Sequence, residues 1–247
     1  MKIAVISDIH GNLDALEAVL VDIKNEGCEK IFSLGDYAMA GPLPADTVNW
    51  FMENAEKENI TMIQGNTDYM IANYSENLYQ NLTSKAPVMA EALKNDFMIL
   101  SDEQKRFLKN LPTQKSIKIE GVNLLLVHGS PRKNNEDILP TISMNELCEM
   151  LEGVNEDVIL CGHTHLPCGF QTPNKKTVVN VGSVGRPFTP EPKSCYLKMT
   201  ISGGNTLFEH RFVEYNNEAA ANKLKRRKFN GVEKLANTLL DPQERHF

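Results

Sequence analysis

The chain of 247 residues is long enough for one large domain, and its 41% hydrophobic and 23% charged residues describe an ordinary globular protein. Its net charge of −6, from 26 basic and 32 acidic residues, argues against a general nucleic-acid binder, so we expect no stable nucleic-acid partner. An anionic substrate stays open, because a bound metal ion can reverse the electric field locally.

The cysteines and the N-terminus indicate the compartment. The five cysteines are an odd number at irregular spacing, and the opening MKIAVISDIHG reaches polar residues too soon for a signal peptide. Apolar runs stay well short of the ~18 residues that a membrane span needs. We therefore expect a cytoplasmic protein with reduced thiols and no membrane attachment, while monomer and homo-oligomer both stay open.

The first quarter of the chain alternates between strand and helix patterns. Short apolar runs predict strands at 2–7, 30–35 and 60–65. Apolar residues at helical spacing predict a helix at 13–26, and a second helix is predicted at about 45–58. This alternation favours a parallel α/β sheet with right-handed crossovers.

The rest of the chain does not follow this regular alternation of strand and helix. Residues 67–112 have helical spacing without a strand pattern, and we interpret them as a helical insertion or cap. An antiparallel strand pair is predicted around Glu120-Gly121. Further predicted features are a helix at about 143–152, strands at 158–161, 177–182, 195–201 and 206–213, a turn at Gly203-Gly204-Asn205, and a helical tail at 216–247 whose basic cluster (Lys223, Lys225, Arg226, Arg227, Lys228) forms a solvated face.

Five of the apolar runs are followed by polar side chains of the kinds that bind metals. In open α/β sheets, ligands bind beyond the carboxyl ends of the strands, where loops from separate strands converge. We therefore expect one crevice to collect seven side chains: Asp8, His10, Asp36, Asn66, His128, His163 and His165.

The chemistry of this set predicts metal binding. Imidazoles, carboxylates and an amide oxygen suit Mn, Fe, Zn, Co or Ni better than Ca or Mg, and seven ligands suit two adjacent ions that share a carboxylate. Residues one apart in an extended segment point to the same side, so Asp8 and His10 can present two groups to one crevice. The same argument holds for His163 and His165.

Simpler interpretations exist for the individual motifs. Asp36 and Asn66 are residue types that cap helices and form turns, and a single His128 is typical of a hydrogen-bonded core. A structural zinc site is a rival interpretation, but it leaves the other motifs unexplained; its ligands would be Cys161, His163, His165 and Cys168.

The motifs DIH, GD (35–36), GN (65–66), HG (128–129) and GHTH (162–165) resemble those of the calcineurin-like metallophosphoesterases. The stretches GDYAMAGPLP, GNTD, HGSPR and NVGSVGRP are similar to its smaller bacterial and archaeal phosphodiesterase branch, over residues 1 to about 200. The resemblance implies a mixed α/β (α+β) fold, a four-layer α/β/β/α sandwich of two mixed sheets. It also implies a single metallophosphoesterase domain over 1–247 with a dinuclear metal centre.

By motif, the resemblance implies that Asp8, His10 and His165 hold one ion. Asn66, His128 and His163 would hold the other, and Asp36 would bridge them. We expect manganese, with Fe, Zn, Ni or Co as alternatives. The expected reaction is hydrolysis of small phosphoesters or nucleotides by attack of a metal-bridging hydroxide, with Asp36, Asn66 and His128 as catalytic residues.

Residues near the motifs are candidates for supporting roles. Arg132 and Arg186 could bind phosphate oxygens, because a guanidinium offers a planar two-pronged donor. Asp68 is expected either to orient His or Thr groups or to serve as a helix-start acid. Many relatives have a histidine proton donor where this chain has Thr67, a poor acid, so the identity of the general acid stays open.

The departure at Thr67, together with the absence of arginine-glycine after GD, favours substrates with good leaving groups over phosphoproteins. One alternative function is hydrolysis of dinucleoside polyphosphates (the Ap4A type), covered by the segment 67–112. Another is a non-catalytic scaffold of the same fold. Scaffolds can lose metal ligands, whereas all seven are present here.

Overall fold

The computed structural model describes residues 1–242, which form ten strands and nine helices. In chain order these are β1 (Lys2–Ile6), α1 (Leu13–Asn25), β2 (Lys30–Ser33), α2 (Pro44–Asn54), β3 (Ile60–Met62), α3 (Asn66–Ala72), α4 (Glu76–Thr83), α5 (Pro87–Ile99), α6 (Asp102–Asn110), β4 (Gln114–Ile119), β5 (Val122–Val127), α7 (Met144–Met150), β6 (Val158–Cys161), β7 (Cys168–Gln171), β8 (Thr177–Asn180), β9 (Ser194–Ser202), β10 (Asn205–Val213), α8 (Asn217–Lys225) and α9 (Val232–Thr238).

The strands form two mixed five-stranded sheets. The first has the order β10-β9-β1-β2-β3, and the second has the order β4-β5-β6-β8-β7. Strands β1, β2 and β3 run parallel, as do β5, β6 and β8. Because parallel neighbours end at the same edge of a sheet, the loops that follow them are brought together.

Alternating side chains build three apolar layers. In β1, Ile3 and Val5 pack in the cluster that also contains Leu124 of the second sheet. Ala4 and Ile6 point the other way, into the cluster that contains the buried face of α1. On the far side of the second sheet, residues of β5 and β6 pack with Leu147 of α7. The predicted four-layer α/β/β/α sandwich is therefore confirmed.

A side-chain cap and a glycine set the two ends of helix α1. The side chain of Asn12 accepts a hydrogen bond from the backbone N–H of Ala15 and caps α1. The helix stops before Gly27, whose φ of +69° is the left-handed conformation that glycine adopts readily. The predicted turn at Gly203-Gly204 also connects β9 to β10 in an antiparallel hairpin.

The structure adds to the predicted elements and corrects one expectation. Strand β7 was not predicted; its sequence CGFQ contains a glycine and a polar residue and lacks the apolar run that marks the equally short β6. The basic cluster is not wholly a solvated face, because the side chain of Arg227 is only 9% exposed and pairs with Asp96. The predicted end of the helical tail, residues 243–247, lies outside the described residues.

Four helices, α3 to α6, fill the stretch between β3 and β4. They pack against one another and against the first sheet's helical layer through residues such as Ile71 and Leu93. Their status as an insertion in a single domain stays a prediction. None of the helices in residues 1–242 combines the length and apolar character that a membrane crossing needs.

Candidate metal centre

The seven predicted ligands come from the loops and helix starts that follow β1, β2, β3, β5 and β6, and the structure brings six of them into close contact. The Nε2 atoms of His10 and His165 lie 3.0 Å apart. Oδ2 of Asp36 lies 3.6 Å from Nε2 of His10 and 3.4 Å from Nε2 of His128. Oδ1 of Asp8 lies 3.3 Å from Nε2 of His165 and 3.9 Å from Nε2 of His128.

Hydrogen bonds to backbone carbonyls determine which ring nitrogen of His10 and of His165 faces this cluster. Nδ1 of His10 donates to the carbonyl of Met39 at 2.9 Å, and Nδ1 of His165 donates to the carbonyl of Arg186 at 2.6 Å. A neutral imidazole carries one proton, so both Nε2 atoms present lone pairs. Two lone pairs 3.0 Å apart repel each other, and a cation between them would remove that repulsion.

Asp8 and His128 also direct atoms that can bind a metal ion into the cluster. Oδ1 of Asp8 is buried and receives no hydrogen bond from the described residues. Nδ1 of His128 donates to the carbonyl of Leu34 at 2.8 Å, which leaves its Nε2 facing Oδ1 of Asn66 at 2.9 Å. Nitrogen and oxygen atoms that converge in this way fit metal ions, whose bonds to such ligands are about 2.0–2.2 Å long.

His163 stands at the edge of the cluster. Its ring centroid is 5.3 Å from that of His128, and its backbone N–H donates to Oδ2 of Asp8. Its Nε2 lies 3.2 Å from Oδ1 of Asp137, on the loop that follows β5. Residues Asp8, His10 and His165 form one compact group of potential ligands, and Asp8, Asp36 and His128 form another.

The backbone at the cluster is strained. Asp8, His10, Asp36, His163 and His165 all have φ between 47° and 68°, a left-handed conformation that is uncommon for residues other than glycine. The extended conformation that we expected for the paired ligands is therefore wrong. Each pair still converges, because the left-handed residues turn the chain sharply, and such strain concentrates at functional sites.

Close backbone packing leaves no room for larger residues at two glycines. A Cβ on Gly65 would lie 2.1 Å from Oδ1 of Asp36. A Cβ on Gly162 would lie 2.6 Å from Oδ2 of Asp8. Glycine at both positions therefore lets neighbouring loops support the two carboxylates directly.

Asp68 holds the loop that carries Asp36. Its Oδ2 accepts hydrogen bonds from the backbone N–H groups of Asp36, at 2.8 Å, and Gly65, at 2.9 Å, and its Oδ1 accepts one from Tyr37 at 3.0 Å. The predicted helix-start position is confirmed, since Asp68 lies in the first turn of α3. Its partners are backbone amides, which the sequence did not indicate.

The charges of the cluster create a negative potential at His128. Burial by itself lowers the pKa of His128, but the carboxylates of Asp36 and Asp8 outweigh it and raise that pKa to about 10. Burial, together with the charge of His165, lowers the pKa of His10 to about 4. The surroundings of His128 therefore attract positive charge strongly, and a divalent cation would supply that charge.

The two arginines differ in their environment. Arg186 is 4% exposed, and its charge helps to lower the pKa of His10, so it lies near the cluster. Burial lowers the pKa of Arg186 to about 10. Arg132 is instead exposed and forms a two-pronged salt bridge with Glu136. Their substrate-binding roles stay predictions.

The rival zinc interpretation gains no support. Sγ of Cys161 is buried among the residues that pack against α7 and lies 3.6 Å from the carbonyl of Val179. His165 instead directs its Nε2 toward His10 and Asp8. Neither cysteine belongs to a convergent group of potential ligands in the part of the chain that the structure describes.

A four-layer sandwich with carboxylates between groups of imidazoles, at the ends of parallel strands from both sheets, is the architecture of a metallophosphoesterase. The domain model of the calcineurin-like phosphoesterase superfamily matches residues 1–204. The chain therefore belongs to this superfamily and is a metal-dependent phosphoric ester hydrolase.

Relatives and solved structures agree with this assignment. The chain is 31% identical over 210 residues to an uncharacterized protein of Methanocaldococcus jannaschii, MJ0912, covering 78% of this chain and 80% of that protein. A metallophosphoesterase from Sphaerobacter thermophilus is 25% identical with a TM-score of 0.79, covering 98% of this chain and 99% of that one. Protein PH1004 of Pyrococcus horikoshii shares the fold at 24% identity, with a TM-score of 0.85 over 96% and 97% of the two chains.

Proposed function

We propose that this protein is a dinuclear-metal-dependent phosphodiesterase or phosphatase that acts on small phosphoesters or nucleotides. The observation that supports it is the position of Asp36, whose Oδ2 lies 3.6 Å from Nε2 of His10 and 3.4 Å from Nε2 of His128. A carboxylate at this position can be shared by two ions. One would be held by Asp8, His10 and His165, and the other by Asn66, His128 and His163.

Two bound divalent ions would supply Lewis acidity for a phosphoryl oxygen and an activated water at neutral pH. The protein residues supply orientation and charge. The carbonyls of Met39, Leu34 and Arg186 hold the rings of three histidines in fixed orientations. The buried guanidinium of Arg186 is the candidate for stabilising negative charge on the phosphate.

Thr67 supports a preference for good leaving groups. Its backbone N–H donates to Oδ1 of Asp36 at 2.9 Å, and its side chain is buried, 4% exposed. A threonine hydroxyl is a poor proton donor, so Thr67 positions Asp36 rather than protonating a leaving group. Phosphodiesters and nucleotide pyrophosphates with acidic leaving groups suit this arrangement better than phosphoproteins.

One contact favours a longer substrate as a second candidate. Nη1 of Arg186 lies 3.7 Å from Sδ of Met89, so helix α5 borders the same edge of the centre. A dinucleoside polyphosphate could therefore extend between the centre and the helices α3 to α6. Release of nucleotides from a dinucleoside polyphosphate panel tests this candidate, and intact substrate with active enzyme would exclude it.

The same proposal covers the metal, the cellular location and one alternative role. Manganese is the expected metal, because the ligand set mixes imidazoles with carboxylates. The expected location is the cytoplasm, in keeping with five free thiols. A non-catalytic scaffold role is the alternative, and fewer than one metal ion per chain without rescue by manganese would favour it.

The test is turnover of bis-p-nitrophenyl phosphate with added manganese. Asp36→Asn should lower turnover at least about a hundredfold, because the shared charge is lost. Asp46→Asn removes a carboxylate from the exposed start of α2 and serves as the matched control with unchanged turnover. Full activity of Asp36→Asn with two bound ions would disprove the proposed centre.

A further inference from the structure

A buried ion pair joins the C-terminal segment, residues 217–242, to helix α5. Asp96 is fully buried in α5, and its Oδ1 accepts a hydrogen bond from Nη2 of Arg227. Arg227 follows α8, beyond residues 1–204 that the family model matches, and its side chain is 9% exposed. Removing one partner of such a pair leaves the other as an uncompensated buried charge, so the two residues depend on each other.

Both partners of this pair also bind one loop, residues 39–41. Oδ2 of Asp96 accepts the backbone N–H of Ala40 at 2.9 Å, and Nη1 of Arg227 donates to the carbonyl of Gly41 at 2.6 Å. Met39 and Ala40 have φ of 72° and 67°, a conformation that such residues hold only with support from their surroundings. The ion pair supports this loop directly at two consecutive residues, Ala40 and Gly41.

The loop in turn holds His10. The carbonyl of Met39 accepts the hydrogen bond from Nδ1 of His10 at 2.9 Å. A Cβ on Gly41 would lie 1.5 Å from the carbonyl oxygen of His10, so the two backbone segments are in direct contact. A displacement of the loop would therefore reorient the imidazole, and groups behind a ligating histidine commonly set its orientation and affinity.

We propose that Arg227 and Asp96 are positioning residues for the metal centre. They hold the loop 39–41 in the conformation in which Met39 orients His10 toward the ion. This inference rests on the proposed function, since it concerns the ion that His10 would bind. It makes the C-terminal segment a support of the centre as well as a part of the fold.

The experiment is a titration of metal-free full-length protein with Co²⁺, followed by visible absorption and by competition with a chelator. Wild type should bind two ions. Arg227→Met should weaken one of them at least about tenfold and leave the other unchanged. In a His10→Ala background, where the imidazole that the loop orients is absent, the same substitution should add little, because both changes act through one ligand.

A conservative variant separates positioning from charge. Arg227→Lys keeps the positive charge, but a single ammonium cannot replace a planar fork that bonds Asp96 and Gly41 together. Arg227→Lys should therefore restore most of the melting temperature lost in Arg227→Met, but only part of the lost Co²⁺ affinity. Should Arg227→Met fail to fold, the double variant Asp96→Asn/Arg227→Met removes both buried charges and should show the same weakened ion.

Two control variants report the effect of lower stability alone. Lys223→Met breaks another ion pair of this segment, in which Nζ of Lys223 lies 2.6 Å from Oδ1 of Asp14. Leu235→Ala opens a cavity at a fully buried position of α9. Leu235→Ala should lower the melting temperature clearly and Lys223→Met only slightly, and both should leave both Co²⁺ affinities unchanged.

The outcomes are distinguishable. If Arg227→Met or the double variant melts at a lower temperature but binds both ions with wild-type affinity, the ion pair is only structural and the inference fails. The proposed function would then still stand. If wild type itself does not bind two ions, the proposed dinuclear function fails instead.

Discussion

The two sides of the candidate metal centre differ in how firmly their ligands are held. On the His10 side, the side chains of His10 and His165 are 3% and 6% exposed, and backbone carbonyls hold both rings. On the other side, His128 is also buried and held by the carbonyl of Leu34. His163, however, is 18% exposed and contacts Asp137, whose side chain is 61% exposed. The His10 side is therefore closed at both histidines, whereas the other side is open at the edge formed by His163.

Metal removal should have the largest effect and tests whether both sides need an ion. Chelation should abolish turnover and lower the melting temperature, because converging lone pairs and carboxylates are left without a cation. At manganese a hundredfold above its Kd, binding stabilises the fold by about 2.7 kcal/mol. Differential scanning calorimetry with and without manganese measures the shift, and an unchanged melting temperature would contradict a preformed site.

Removing one histidine from each side sharpens the comparison. His165→Ala should reduce turnover at least about a hundredfold, because it removes a buried group from the compact cluster. His163→Ala should reduce it only roughly tenfold, since water can replace a ligand at the exposed edge. Turnover and metal content of both variants check this, and equal losses would show that the two sides do not differ.

The packing behind Asp36 can be tested without touching a ligand. Gly65→Ala places a Cβ 2.1 Å from Oδ1 of Asp36, which should destabilise the fold by about 1–3 kcal/mol. We expect turnover to fall roughly tenfold because the carboxylate is displaced. Gly169→Ala is the control, with its nearest neighbour 3.9 Å away. Wild-type turnover in Gly65→Ala would mean that the position of Asp36 tolerates displacement.

The smallest effect is expected at Asp137. Asp137→Ala removes the exposed carboxylate beside Nε2 of His163, and an exposed pair contributes about 0.2–1 kcal/mol. Turnover should fall about threefold, with a larger drop at low manganese than at saturation. Steady-state rates across a manganese series measure this, and an effect as large as that of His165→Ala would place Asp137 among the main supports.

The strands and the ligand types could be predicted because they depend on local patterns. Apolar runs such as KIAVI and VILC end two residues before Asp8 and His163. Parallel strands end together within each sheet, and the packing of the two sheets against each other brings the two sets of loops together. Strand β7 escaped prediction because its four residues, at the sheet edge, lack the apolar run that marks β6.

The contacts that support the site could not be predicted, since they join residues far apart in the chain. Asp68 binds backbone amides of a loop 31 and 32 residues away, and Arg227 pairs with Asp96 at a separation of 131 residues. Backbone amides and carbonyls are present at nearly every residue, so the sequence carries no sign of which ones will serve. A basic cluster near a helix end likewise does not reveal which arginine is buried.

By itself, the sequence determined the family, the sandwich fold and the set of side chains able to bind metal, because each follows from local residue types in a known order. Only the tertiary structure decided which ring nitrogen faces inward, which residues adopt left-handed φ, and which side of the centre is closed. These features arise from contacts between distant segments, where packing and hydrogen bonding outweigh the preferences of any single stretch.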